Sequence, residues 1–200
     1  MRRRGPPRVV GGSPNQAFDP ILLDVPERNL IVAVVQRAAS TSMLAAVGNM
    51  RERAIETVDA VRKRDTEGTK IVMWVRDPFE RLASSLSLIH RRQRARPVGL
   101  HYRDVPLKFI LGRDNVHWKP QLELHKHNGL VIPNEVYAFE ELETKWPELL
   151  PEFVLERKNV TTGPIKRSWA EYEETLTRQE MAQLRNFYRE DINARKKRGF

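Results

Sequence analysis

The sequence predicts an α/β fold built on a central parallel sheet, and two observations carry that expectation. The segments 29–35 (NLIVAVV) and 70–75 (KIVMWV) are short, nearly continuous apolar runs rich in β-branched residues. That is the pattern of strands buried on both faces, as parallel strands are. Each run is followed by apolar residues at helical spacing, so strand and helix alternate, and alternation of this kind closes a parallel sheet through crossover connections. In such sheets ligands bind beyond the carboxyl ends of the strands.

The elements follow in order. Residues 1–26 read as a basic leader, extended or disordered, because Pro6, Pro7, Gly11, Gly12, Pro14 and Pro20 interrupt any period. The folded domain is expected over residues 27–200. After the first strand, Ser40 is a helix N-cap candidate and Met43, Leu44, Val47 and Met50 follow at helical spacing. Helix continues over 51–64, with Ile55, Val58 and Val61 on one side, and Gly68 ends it. After the second strand, Pro78 stands at a first helical position, where its missing N–H does no harm. That helix carries Phe79, Leu82, Leu86 and Ile89. A weaker stretch holds a short helix at 107–111 and a helical turn at 120–126. A short strand is expected at 136–139 and a helix at 140–149. A loop is expected at 159–166, then a last amphipathic helix over 178–196 with Met181, Leu184, Phe187, Tyr188 and Ile192 as its stripe.

Composition sets limits. The chain has 200 residues, 40% hydrophobic and 30% charged, enough for one domain of ordinary size. It has no cysteine, which excludes a disulfide framework, a thiol nucleophile and a zinc–thiolate site. No apolar run approaches the roughly twenty residues of a transmembrane helix. Residues 1–8 are basic without an apolar segment after them, so no secretory signal is read there. Lys and Arg outnumber Asp and Glu by 35 to 26, a formal charge of +9, so anionic partners are expected. The excess sits in three runs: Arg2, Arg3, Arg4 and Arg8; Arg91, Arg92, Arg94, Arg96 and Arg103; and Arg195, Lys196, Lys197 and Arg198. The plain reading is a solvated tail at each end and one basic loop. The sharper one turns the middle run toward an anionic substrate. Nucleic acid is disfavoured as a partner, since no aromatics interleave with these runs and no helix-turn-helix or RNP-like pattern is present.

Two strand-to-helix junctions carry chemistry. The first, 36–42, is Gln-Arg-Ala-Ala-Ser-Thr-Ser. Small residues let backbone approach a ligand, amides at a helix start favour an anion, and the hydroxyls and Arg37 add donors. It lacks the glycines and lysine of G-x-x-x-x-G-K-[ST], so it is not the triphosphate loop. An ordinary turn with a Ser cap is the plain alternative. The second junction, 74–85, places Arg76 just beyond a strand and Ser84 about two helical turns further on. Arginine with a serine hydroxyl makes a monophosphate clamp. For Arg81, on the face of Ser84, the plain alternative is an ion pair with Asp77 or Glu80.

These junctions resemble the two cofactor loops of sulfotransferases of the carbohydrate (Golgi-type, family 2) branch. Residues 36–42 occupy that family's P-K-x-x-S/C-T-[ST] loop, with Gln36 for the proline and Arg37 for the lysine. Residues 75–84 (VRDPFERLAS) fit every position of its V-R-[DH]-P-[FY]-x-R-[LF]-x-S loop. His117-Trp118-Lys119-Pro120-Gln121 is similar to its H-W-x-P-Q, Phe139-Glu140-Glu141-Leu142 to its F-E-x-L, and Tyr188-Arg189-Glu190-Asp191 to its closing Y-x-x-D. The resemblance covers about residues 29–195.

The resemblance implies a three-layer α/β/α, P-loop NTPase-like fold. It also implies transfer of a sulfuryl group from 3′-phosphoadenosine-5′-phosphosulfate (PAPS) to an acceptor hydroxyl, on a carbohydrate or another acceptor, an anionic one included, with no metal. It assigns the 5′-phosphosulfate to Arg37, Ala38, Ala39, Ser40, Thr41 and Ser42, and the 3′-phosphate to Arg76 and Ser84. Lys166 and Arg167 are expected to close over the cofactor. Arg37 serves the sulfuryl group as a cation but, unlike lysine, gives up no proton. His117 is the candidate base that takes the acceptor's proton, since imidazole titrates near neutrality. Its plain alternative is a structural histidine packed on Trp118. His90 and His101 flank the middle arginine run and are candidates for acceptor contact; His125 and His127 lack a third ligand for a metal. Without cysteine or anchor, the expected compartment is the cytoplasm of a bacterial or virus-infected cell. The competing readings are a P-loop-like kinase relative, against which the absent G-K-[ST] counts, and a non-catalytic basic module for nucleic acid or anionic glycan.

Overall fold

The computed structural model describes residues 21–25, 28–35, 37–46, 68–93, 105–112, 117–126, 133–156 and 169–200. Among them, β1 (Ile21–Val25), β2 (Leu30–Val34), β3 (Lys70–Val75) and β4 (Glu135–Ala138) form one sheet in that spatial order. β2, β3 and β4 run parallel, while β1 is antiparallel to β2, pairing Ile21 with Val34 and Val25 with Leu30. The protein is therefore mixed α/β with a mostly parallel sheet.

β1 lies inside the stretch that the sequence assigned to the leader, so the sheet reaches back past the expected domain start at 27. Its five residues, ILLDV, are apolar enough to bury, but the prolines on either side at 20 and 26 hid them. Asn29, just before β2, has a φ of 47°, the left-handed region that asparagine tolerates better than most residues. Its side chain donates to the Gly68 carbonyl at 2.8 Å and accepts from the Thr69 hydroxyl at 2.9 Å, fixing the strand's entry against β3.

The apolar runs are continuous because both faces of the sheet are covered. On one face Leu23, Val25, Leu30, Val32, Val34, Val72 and Trp74 meet Met43, Leu142, Trp146 and Leu150. On the other, Leu22, Ile31, Ala33, Val35, Ile71, Met73 and Val75 meet Ala38, with Leu122 packed alongside. Each such fully buried aliphatic side chain contributes on the order of 1.5–3 kcal/mol of transfer free energy.

Helices α1 (Ser40–Ala46) and α2 (Pro78–Gln93) follow β2 and β3. Pro78 opens α2 as the sequence predicts, and the Asp77 carboxylate caps it, accepting from Phe79 N–H and Glu80 N–H, each at 2.9 Å. Short helices α3 (Leu107–Gly112) and α4 (Gln121–Lys126) precede β4, and a 3₁₀ turn (Phe139–Glu141) leads into α5 (Leu142–Leu149). Then come α6 (Trp169–Glu173), α7 (Arg178–Phe187) and α8 (Arg189–Lys196). The sequence predicts one helix over 178–196; it breaks at Tyr188, whose φ and ψ are −96° and 15°. Leu82 and Leu86 of α2, Leu107 and Ile110 of α3, Trp118, Tyr172, Leu184 and Tyr188 form a second core beside the sheet. Trp74, Trp118 and Trp146 are all buried, and Trp169 stacks on Phe79 at 4.8 Å, so these rings serve packing. The expected helix over 51–64 and loop over 159–166 lie outside the described residues.

Candidate functional site

The parallel strands β2, β3 and β4 deliver three chain segments to one edge of the sheet. Beyond β2 the chain turns sharply. Arg37 and Ala39 have φ of 68° and 56°, left-handed values that cost a side-chain-bearing residue about 1–3 kcal/mol each. Ala38 N–H donates to the Val35 carbonyl at 3.1 Å, and Met43 N–H to the Ala39 carbonyl at 2.9 Å. A left-handed Ala39 followed by helical Ser40 is the backbone succession of an anion nest. Ala38 and Ser42 are buried, Ser40 is half-buried and Thr41 is exposed.

Beyond β3 comes Arg76. Its Nη1 donates to the Arg37 carbonyl at 3.3 Å and its Nη2 to Glu80 Oε2 at 3.2 Å, and the guanidinium lies 5.6 Å from the Phe139 ring centre. Its Nε is buried and bonds to nothing in the protein. From the other loop, Arg37 Nη2 donates to Ser84 Oγ at 2.5 Å and to the Ser84 carbonyl at 3.2 Å. Arg37 thus meets Arg76, just beyond β3, and Ser84, on α2, 39 and 47 residues further along the chain. The Ser84 hydroxyl accepts from Arg37, and Arg76 joins the cluster through the Arg37 carbonyl.

Arg81 reaches a different segment of the chain. Asp77 caps α2 and Glu80 meets Arg76, while Arg81 is fully buried and donates to the Lys119 carbonyl at 2.8 Å. Burial pulls its pKa down to about 10; Tyr188 and Asp191 work in the opposite direction, and the positive charges of Arg76 and Arg37 add to the lowering. Three guanidiniums therefore share one electrostatic neighbourhood.

The H-W-x-P-Q and Y-x-x-D segments supply the support. Ser85 Oγ lies 2.6 Å from the His117 carbonyl, so half-exposed His117 is tied to the residue next to Ser84. Tyr188 Oη donates to the Trp118 carbonyl at 2.6 Å. Asp191, fully buried, accepts from Gln121 N–H at 2.8 Å and Leu122 N–H at 3.0 Å, the first amides of α4. Burial pushes its pKa up, against the pull of those amides and of Arg81. Gln121 in turn grips Arg76 on both sides: its Oε1 accepts from Arg76 N–H at 3.0 Å and its Nε2 donates to the Arg76 carbonyl at 2.8 Å. The sequence marks Gln121 and Asp191 only through resemblance; their roles as supports appear once the chain is folded.

The third basic run is not simply a solvated tail. Arg195, from α8, donates to both carboxylate oxygens of Glu140, at 2.7 and 2.8 Å, and to the Val75 carbonyl at 3.3 Å. Arg198 holds both oxygens of Glu141, at 3.0 and 2.5 Å. These bonds keep both glutamates below the usual carboxylate range. Lys196 and Lys197 remain exposed.

Lys166, Arg167, Gln36, Arg94, Arg96, Arg103, His101 and His127 lie outside the described residues, as do the side chains of His90, Arg91, Arg92 and His125. Among the described residues no cluster of three His, Asp or Glu side chains stands ready for a metal, and no helix is long and apolar enough to cross a membrane.

Comparison of the chain with models of protein families, with curated proteins and with solved structures finds no match.

Proposed function

We propose that this protein is a sulfotransferase that moves a sulfuryl group from PAPS to an acceptor hydroxyl, with a carbohydrate as the leading acceptor class. The observation that carries the reading is the meeting of Arg37, Arg76 and Ser84 at the carboxyl edge of β2 and β3. These are the residues whose sequence context resembles the two cofactor loops. The P-loop NTPase-like, three-layer α/β/α arrangement belongs to the same proposal.

The donor set suits a nucleotide carrying two anionic groups. Arg76 offers a buried Nε with no partner in the protein, and the Ser84 hydroxyl and the Arg37 guanidinium are already within bonding distance of each other. Arg76 and Ser84 would hold the 3′-phosphate. Arg37, Ala38, Ala39, Ser40, Thr41 and Ser42 would hold the 5′-phosphosulfate. PAPS supplies the activated sulfuryl group and a phosphate leaving group. Arg37 would keep a positive charge beside the oxygen on which negative charge builds, and the Ser40 and Thr41 hydroxyls would add donors. His117 takes the proton of the acceptor hydroxyl on its imidazole; a positioned base is worth about 10²–10⁴-fold in rate. Lys166 and Arg167 stay in the proposal as further cofactor contacts.

The test is thermal shift with 3′-phosphoadenosine-5′-phosphate, with and without magnesium, on the wild type and on Arg76→Ala. Ligand at about a hundred times its dissociation constant adds roughly 2.7 kcal/mol to stability. The expected result is an upward shift that ignores magnesium and disappears in Arg76→Ala. An equal shift with AMP or ATP, or none at all, would overturn the reading and favour a basic binding module.

A further inference from the structure

Arg76 is held by its main chain as well as its side chain. The peptide groups on either side of its Cα are both taken by one side chain, the carboxamide of Gln121. Gln121 is fully buried, so neither bond is shared with bulk water. A carboxamide can be turned over by half a rotation, which would set donor against donor. Here Asp191 decides the orientation. Its Oδ2 accepts from Gln121 Nε2 at 3.1 Å and from Gln121 N–H at 2.8 Å, and a carboxylate accepts only. The amide nitrogen is therefore on the Asp191 side, leaving Oε1 for Arg76 N–H. Asp191 is itself fixed, because Leu122 N–H fills its other oxygen at 3.0 Å.

We propose that Gln121, oriented by Asp191, is the positioning residue that sets the direction of the Arg76 guanidinium at the anion site. Arg76 is the first residue past β3, where the chain leaves the regular ladder before α2 begins. Past the ladder, the Gln121 carboxamide takes the Arg76 N–H and C=O. α8, which carries Asp191, is thereby coupled to a residue 115 positions earlier through a single buried carboxamide. The inference rests on the reading of Arg76 as a ligand-binding residue.

Two measurements on Gln121→Met, a replacement of similar length, test it. The first is hydrogen exchange at the Arg76 amide, which needs no ligand. Faster exchange there, with α2 and β3 amides unchanged, is expected. Unchanged exchange at Arg76 would overturn the proposal. The second is titration with 3′-phosphoadenosine-5′-phosphate and with 5′-AMP, which lacks the 3′-phosphate. Gln121→Met should weaken the first ligand by about tenfold or more and the second far less. In an Arg76→Ala background the same change should cost nothing further, because the two residues act as one unit. A purely structural role for Gln121 would lower the melting temperature but leave the ratio of the two affinities alone, and that result would also overturn the proposal. If the wild type binds neither nucleotide, the sulfotransferase reading fails, and exchange at Arg76 decides the positioning claim by itself. Should Gln121→Met not fold, Asp191→Asn is read in the same two ways: its amide offers Gln121 Nε2 one acceptor fewer.

Discussion

Two pairs of arginines stand at the carboxyl edge of the sheet, and they are held in opposite ways. Arg195 and Arg198 each grip a glutamate with two parallel N–H donors, so each positive charge is matched where it stands. Arg37 reaches the Ser84 hydroxyl and carbonyl, and Arg76 reaches the Arg37 carbonyl and Glu80, a carboxylate that is 62% exposed. The first pair fastens α8 to the end of β4. The second keeps a positive field, strong enough to add to the lowering of the Arg81 pKa. The contrast separates arginines paired two-donor to a glutamate from arginines that meet each other at the strand ends, although composition counts them alike.

The sharpest way to break this contrast is to remove one arginine from each pair. Arg195→Ala leaves Glu140 without its bidentate partner and removes the Arg195 contact to the Val75 carbonyl. It should lower unfolding free energy by about 2 kcal/mol in urea denaturation, the scale of bonds to charged groups. Arg76→Ala should cost less than about 1 kcal/mol, as exposed ion pairs do. If Arg76→Ala proves the more destabilising, the division between the pairs is wrong.

A second test uses pH. Glu140 and Glu141 are depressed in the folded state by Arg195 and Arg198. Their contribution is present above the unfolded carboxylate value of 4.5 and is lost as pH falls through the lower folded value. Between pH 6 and pH 3 the wild type should lose more stability than Glu140→Gln/Glu141→Gln, while binding of an anion at the Arg76 loop above pH 6 should be equal in both. Parallel stability curves would show that the glutamates are not the counter-charges.

The smallest effect is expected at Arg198→Ala. Its side chain is 37% exposed, so solvent screens the pair, and a loss of about 0.5 kcal/mol is anticipated by thermal melting. A larger loss would place Arg198 with Arg195 as a principal fastening.

Much of the frame could be read directly from residues. β2 and β3 announce themselves because two-sided burial leaves a continuous apolar run, and Pro78 marks the start of α2 because proline fits only there. β1 escaped because proline signals at 20 and 26 read as leader although five pairable residues lie between them. The break at Tyr188 escaped because Leu184, Tyr188 and Ile192 keep their four-residue spacing across it, so the period survives where the helix does not. At the site, Arg76 and Ser84 stand out by position relative to a strand end. Gln121 and Asp191 do not, since a buried polar contact between residues 70 apart leaves no period to detect. Arg195 and Arg198 read as tail for the same reason: charge is visible in a sequence, and its partner is not.

The hold of Asp191 on Gln121 also orders events in time. A chain made from its amino end produces the Arg37 and Arg76 loops long before α8 leaves the ribosome. Strands β1 to β3 have their partners early, but the carboxamide that fixes Arg76 has no orienting carboxylate until Asp191 arrives. The hold of Gln121 and Asp191 on Arg76 is therefore completed last, and a nascent chain interrupted before α8 would carry Arg37 and Arg76 without it.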